Sequence, residues 1–259
     1  MRATLAACLT LALVVGASAA DLDEVEIPAA VEAREIVFDL GAAVTFGPKF
    51  PAARVYEPGG APLFRLKFLR LPGLGEVVTE KKSFISVFPS FEYTDRRDVD
   101  DAAYLRGIPD RDFSLGIGPG VVVQYGALRA YAEARYGFIG HNGFVGEVGA
   151  DLVGTPFERL EVSLGPRVGW ADDEYMEYYF GVPASALVLP AYDPSGGIKD
   201  VGARFQATYT INEKWRLHGR AEYRHYVGEA GDSPIVDEGN DTEIEVGVGL
   251  TYRFGFDLF

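Results

Sequence analysis

The sequence predicts an all-β protein, an antiparallel up-and-down β-barrel of about ten strands (range roughly 8–12) that crosses a membrane. Three observations carry that prediction. Apolar and polar residues alternate along segment after segment. Between 242 and 254 the even positions are Ile244, Val246, Val248, Leu250, Tyr252 and Phe254, and the odd ones Glu243, Glu245, Gly247, Gly249, Thr251 and Arg253. Tight turns and longer loops alternate between these segments. After the N-terminal leader, no apolar run approaches the ~18 residues that mark a spanning helix.

The leader reads MRATLAACLTLALVVGASAA. Arg2, the apolar run from Leu5 to Val15 and the small residues from Gly16 to Ala20 have the layout of a cleaved signal peptide, residues 1–20. The run is too short to span a bilayer, which takes about 20 apolar residues. A lipoprotein box at Leu5-Ala6-Ala7-Cys8 would leave no apolar segment ahead of it and is set aside. Cleavage removes Cys8, the sole cysteine, so the exported chain has no disulfide, no cysteine nucleophile and no thiolate metal site. Residues 21–34 form an acidic segment expected in the periplasm, and 35–259 the barrel.

Strands are expected at 35–46, 62–70, 83–93, 112–124, 128–138, 144–153, 160–170, 199–209, 215–226 and 242–254, the second and third having the weakest alternation. Short turns fall at 125–127, 154–158 and 210–214, and the longest loops at 171–198 and 227–241. Short turns at one end and long loops at the other are the pattern of outer-membrane barrels, and an even strand count puts both termini on the periplasmic, short-turn side.

In a soluble barrel the apolar face points inward; in a membrane barrel the order reverses. Aromatic residues at the ends of the apolar faces (Tyr136, Phe138, Trp170, Tyr209, Trp215, Tyr223, Tyr252, Phe254) suit girdles at the lipid boundary, so the apolar face is assigned to outer-membrane lipid. The polar face then lines the lumen. It carries Arg129, Arg135, Arg167, Arg204, Arg220, Arg216, Arg224 and Arg253 against Glu133, Glu147, Asp151, Glu161, Glu222, Glu243 and Glu245. The signs nearly cancel, which predicts an ion-pair network filling a narrow interior rather than an ion-selective wall.

Signs of other chemistry are weak. The net charge of −14 offers no basic patch for nucleic acid, and 48% hydrophobic with 13% aromatic residues argues against disorder. His141 stands in a Gly-rich loop. His218 and His225 are an odd number of residues apart on one strand and face opposite sides, so they form no metal pair. The acidic runs at 172–174 and 95–101 lack the spaced ligands and Gly turn of a calcium loop and are expected to be solvated. The Gly-rich 116–120 lies within a strand and is no phosphate loop. Ser114, Ser163 and Ser233 have no histidine at a supporting spacing. No catalytic residue, cofactor or metal site is assigned, and the chain is expected not to be an enzyme.

The stretch from Trp170 onward resembles the MipA/OmpV family. The features shared with it are Asp172 and Tyr175, then Tyr179-Phe180-Gly181-Val182, then Gly196-Gly197 before a strand. Trp215 opens the next strand, and Asp232-Ser233-Pro234-Ile235-Val236 leads to the final Tyr252-x-Phe254. The first third of the chain keeps only the opening GAAVTFGPKFP. The resemblance implies an outer-membrane scaffold bridging a lytic transglycosylase and a bifunctional peptidoglycan synthase; other members are linked to adhesion and small-molecule uptake. Scaffold, narrow pore and adhesin therefore all stand as expectations. Tyr178, Tyr179 and Phe180 are expected either as a lid folded onto the barrel mouth, with Gly181 allowing a tight turn, or as an exposed recognition surface. Wall enzymes work in the periplasm, so a contact would use the short turns or the acidic N-terminal segment, which otherwise is a solvated leader.

Overall fold

A computed structural model describes residues 36–71, 75–78 and 85–256. The expected signal peptide (1–20), the acidic segment (21–34) and Phe259 lie outside the described residues. Eleven strands follow in order: β1 (Ile36–Pro48), β2 (Tyr56–Leu71), β3 (Gly75–Val78), β4 (Ile85–Thr94), β5 (Ser114–Tyr125), β6 (Leu128–Ile139), β7 (Phe144–Phe157), β8 (Leu160–Ala171), β9 (Gly197–Thr210), β10 (Trp215–Tyr226) and β11 (Thr242–Phe256). Three short helices lie in the loops: α1 (Asp173–Phe180), α2 (Gly228–Gly231) and α3 (Pro234–Glu238).

The strands form one antiparallel sheet in the order β3-β2-β1-β11-β10-β9-β8-β7-β6-β5-β4. The first and last strands of the chain pair over their length, from Ile36 with Phe256 to Phe46 with Val246, so the sheet curls into a barrel. β3 and β4 stand an even number of antiparallel steps apart and run the same way. They act as two parts of one pass, and the chain makes ten passes, as expected. Most strands span 12 to 16 residues, more than the ~9–11 a tilted strand needs to cross a bilayer. β2 begins at Tyr56, six residues before the expected start. Its opening YEPGGAP reads as loop from Gly and Pro content, yet pairing with β1 from Pro48–Tyr56 onward draws it into the sheet. Among the described residues no pairing joins β2 to β4.

The β5–β6, β7–β8 and β9–β10 turns lie at one end, and the four-residue β6–β7 connection 140–143 lies at the other. Gly126 and Arg159, in the β5–β6 and β7–β8 turns, adopt positive φ of 57° and 69°, as tight two-residue hairpins require. The other end carries every long loop.

The faces are inverted relative to a soluble barrel. Val44, Ile117, Leu152, Leu164 and Val248 are exposed on the outer wall at 47–69%, while Asp39, Asp151, Arg167, Glu222 and Glu243 point inward at 4% or less. Aromatic pairs ring both rims. Trp215–Tyr252 (4.9 Å) and Phe38–Phe254 (5.6 Å) lie at the turn end, and Tyr136–Phe144 (4.9 Å) and Phe46–Tyr56 (5.8 Å) at the loop end. The apolar core is displaced from the barrel into the loops.

Candidate functional site: the capped lumen

The lumen is organised around Glu222 on β10. Its carboxylate accepts from Arg204 Nε at 2.6 Å, from Arg224 Nε at 2.7 Å and from Arg220. Arg204 reaches on to Glu147 at 2.9 Å and donates to Tyr131 Oη at 2.9 Å. Arg167 pairs with Asp151 at 2.7 Å and lies 5.0 Å over the Tyr131 ring. Arg129 meets Glu161 at 3.2 Å, and Arg135 meets Glu133 at 2.9 Å. Glu245 lines the same cavity. Each predicted lumen residue therefore faces the interior, and the pairs run along the inner wall, within a strand or between strands one or two apart in the sheet. This arrangement follows from burial: a charge withdrawn from water needs a partner and hydrogen bonds. Asp39 is a lumen residue that alternation did not single out. It accepts from Arg216 at 3.1 Å and Arg253 at 2.9 Å near the turn end, but sits in the nearly unbroken apolar run IVFDLGAAV.

The loop end is closed by a cap built from five loops. α1 begins at Asp172, whose Oδ1 accepts from Tyr175 N at 3.0 Å and whose Oδ2 accepts from Phe144 N at 2.6 Å. Asp173 accepts from Gly196 N at 2.5 Å. The run at 172–174 is thus a helix start with acidic residues at the positive end of the macrodipole, and Asp173 and Glu174 stay exposed. The 95–101 run is likewise ordered: Asp98 N donates to Asp101 Oδ2 at 2.8 Å, and Lys49 binds Asp101.

α1 buries Tyr175, Met176, Tyr179 and Phe180, and Tyr178 packs at their margin. They join Ala52, Val145, Ala171, Tyr226, Ala230 and Val236 in one cluster. A second cluster joins Phe50, Ala53, Leu105, Ile108, Val182, Leu189 and Ile235. Backbone ties lock the loops together: Arg97 Nη1 donates to Tyr179 O at 2.8 Å, and Ser233 Oγ to Phe180 O at 2.6 Å. Ser233 also caps α3, accepting from Ile235 N at 3.2 Å with Pro234 as the first helical residue. Asp232 is the C-cap of α2. Of the two accounts of the aromatic stretch, the geometry is that of a lid. Gly181 serves it differently from expectation: its φ is −70°, open to any residue, but a Cβ there would stand 2.5 Å from Glu177 O. The glycine is needed for close approach.

Three polar residues join cap to lumen. Glu243 accepts from Ala52 N and Tyr226 Oη, both at 2.8 Å, and lies 3.4 Å from Arg224. His141, 1% exposed, accepts from Gly143 N on Nδ1 at 3.3 Å and turns Nε2 toward Glu92 at 3.7 Å. Its ring lies 4.7 Å from that of Tyr175. Burial raises the Tyr175 and Tyr179 phenols above their usual range, and burial, then the adjacent Arg111, lowers the Arg97 guanidinium to about 10.

The remaining candidates have structural positions. Ser114 Oγ bonds Tyr179 Oη, and Ser163 is buried in the wall. His218 sits between Thr251 (2.9 Å) and Thr208 (3.3 Å) inside the barrel, whereas His225 faces Asp241 outside it. Among the described residues no group of three or more His, Cys, Asp or Glu is placed to hold a metal.

Inverted faces, aromatic rims and a curled antiparallel sheet define an outer-membrane β-barrel. The profile of the family described as MltA-interacting protein MipA matches residues 40–254, and the chain belongs to that family. No curated protein matches the chain. Among solved structures, it is similar to Neisserial surface protein A (10% identity, 85% of this chain and 97% of that one, TM-score 0.31). It is also similar to the Ralstonia pickettii toluene transporter TbuX (13%, 86% and 90%, 0.34) and to the CymD monoaromatic hydrocarbon channel (11%, 88% and 90%, 0.38). At those TM-scores the barrel assignment rests on this chain's own strand order and faces.

Proposed function

We propose that this protein is a non-conducting, non-enzymatic outer-membrane anchor that holds a lytic transglycosylase, and through it a peptidoglycan synthase, at the membrane. The observation that carries this reading is the capped, charge-paired lumen: the cap covers one end, and Glu222, Glu147 and Asp39 each hold arginines of their own or nearby strands along the inner wall. A wall built to pass ions would hold its charges apart and in one dominant sign. The family description names an interaction with MltA, which the family resemblance gives as a lytic transglycosylase and which supports the same reading. In this orientation the loops face outward and the termini face the periplasm. The contact then falls to the short turns or to the acidic segment at 21–34, released by cleavage of residues 1–20.

Cross-linking in intact cells, then purification in mild detergent and mass spectrometry, tests it. Recovery of a transglycosylase, lost on deletion of 21–33, is the expected result. Recovery of no wall enzyme overturns the scaffold. Steady conductance of the refolded barrel would instead favour a narrow solute route, and binding of intact cells to host surfaces an adhesin.

A further inference from the structure

Among the described residues no pairing closes the barrel wall between β2 and β4, and three prolines border the break. Opposed residues of antiparallel strands either exchange both backbone hydrogen bonds or point both groups away, and the two kinds alternate. Arg253 N donates to Lys214 O at 2.7 Å, so odd residues of β11 bond β10 and even ones bond the even residues of β1. Above the register shift at Val37/Phe38, that leaves odd residues of β1 to bond odd residues of β2. The even residues of β2, Pro58 and Pro62 among them, turn toward β4. On the other edge Pro89 lies opposite Pro119. Two prolines have no N–H to exchange, so they form a pair of the outward-pointing kind, and Pro89 also faces the gap. Closing the wall needs even residues of β2 against odd residues of β4, as in Pro58 with Val87 or Tyr56 with Pro89. Any such pair that includes Pro58, Pro62 or Pro89 lacks a donor.

An open edge does not face lipid unless it borders protein or a polar cavity. Here it borders one. A cavity of about 320 Å³ runs from Pro58, Gly59 and Phe88 at the gap to the charged wall at Arg204, Arg220 and Arg224. Its two sides differ. At the gap the Phe88 ring lies flat on Gly120, where a Cβ would stand 2.3 Å from it, beside buried Val122. The far side carries paired charges, and the lining holds as many carboxylates as cationic groups. The cap covers the mouth. The same prolines bar a strand from another protein from completing the ladder, so the gap suits passage rather than strand docking.

We propose that the lumen binds a single-chain amphiphile with a zwitterionic, net-neutral head, admitted sideways from the bilayer between β2 and β4. Its chain lies along Phe88 and Val122, and its head among the paired charges. This site is independent of the scaffold reading, and transglycosylase recovery does not report on it.

The test uses the full barrel in phosphatidylcholine vesicles with a photoreactive lysophosphatidylcholine, adducts being mapped by mass spectrometry. Adducts on lumen peptides holding Phe88 and Tyr131 are expected, beside those on the lipid-facing wall. P58T/P62T/P89T restores the missing donors and loses the lumen adducts while keeping the outer ones. Oxidation of a P58C/V87C pair does the same, and reductant restores them. Outer adducts alone in the unmodified barrel, or lumen adducts that persist in both sealed forms, overturn the proposal. Equal labelling by an anionic lysophosphatidylglycerol probe overturns the net-neutral head.

Discussion

Glu222 and Phe180 are almost equally hidden, at 2% and 1% exposure, yet they are buried by opposite means. Glu222 sits in the lumen among three guanidinium groups contributed by β9 and β10. Phe180 sits in the cap against Tyr226, ring centroids 5.2 Å apart, within a cluster of apolar side chains. The difference follows from what each region faces. The barrel turns its apolar residues to lipid, so its interior is left with the polar face and has to satisfy charges mutually. The cap lies beyond the strands and hides its apolar residues inward, as a small globular domain does. One chain thus carries two cores of opposite chemistry, with Glu243 bonded to both.

The largest effect is expected from Glu222→Ala. It leaves Arg204, Arg220 and Arg224 facing one another in a water-poor interior, and removing one member of a buried ion-pair set costs about 3–5 kcal/mol. Heat-induced unfolding of the barrel, followed by its mobility shift in detergent gels, should move to markedly lower temperature. A cap that stays protease-resistant in this variant would show two separable cores; a cap that opens with it would show that Glu243 couples them into one.

Phe180→Ala approaches the same comparison from the other side. Truncating a buried Phe costs about 3–5 kcal/mol, but the loss here falls on the loops. Proteolysis within 172–196 and 227–241 should rise, while the barrel's unfolding temperature holds. An equal fall in barrel melting would sink the idea of a separable cap.

The two regions were unequally legible in the sequence. Alternation with period two is local, so β5 to β11 could be placed to within a few residues, and the charges on their polar faces followed. Asp39 escaped because its strand hardly alternates, and β2 started late because Gly and Pro hid its first turn of sheet. The cap was nearly opaque. Its clusters join residues as distant as Phe50 and Ile235, and no local pattern announces contacts of that range. One signal was present: Asp172 with Asp173 and Glu174 ahead of an aromatic run is a helix start.

Alkali should separate the regions next. The Tyr175, Tyr179 and Tyr178 phenols are raised from 10 by burial, and Tyr192 is pushed up to about 12 by burial and Glu229. In that window the unfolded loops have released protons that the folded cap retains, so stability falls as pH rises above 10. Arg97 opposes this: its lowered value favours the folded state as pH climbs from about 10 toward 12.5. Four phenols against one guanidinium leave a net loss. Loop proteolysis and phenolate absorbance should rise together above pH 10, with the barrel still intact; phenolate appearing at ordinary pH without loop opening would refute the account.

The smallest effect belongs to Ser233→Ala, and it asks what kind of core the cap has. The hydroxyl caps α3 and donates to Phe180 O, so its removal costs about 1 kcal/mol for the cap and strands a buried carbonyl. If apolar packing dominates, protease sensitivity should rise only slightly, well below that of Phe180→Ala, and Ser233→Thr should restore it by returning the hydroxyl. If Ser233→Ala loosens the loops as much as Phe180→Ala does, the cap is held by its hydrogen bonds. It would then resemble the lumen beneath it, a set of polar groups that stands or falls with each partner.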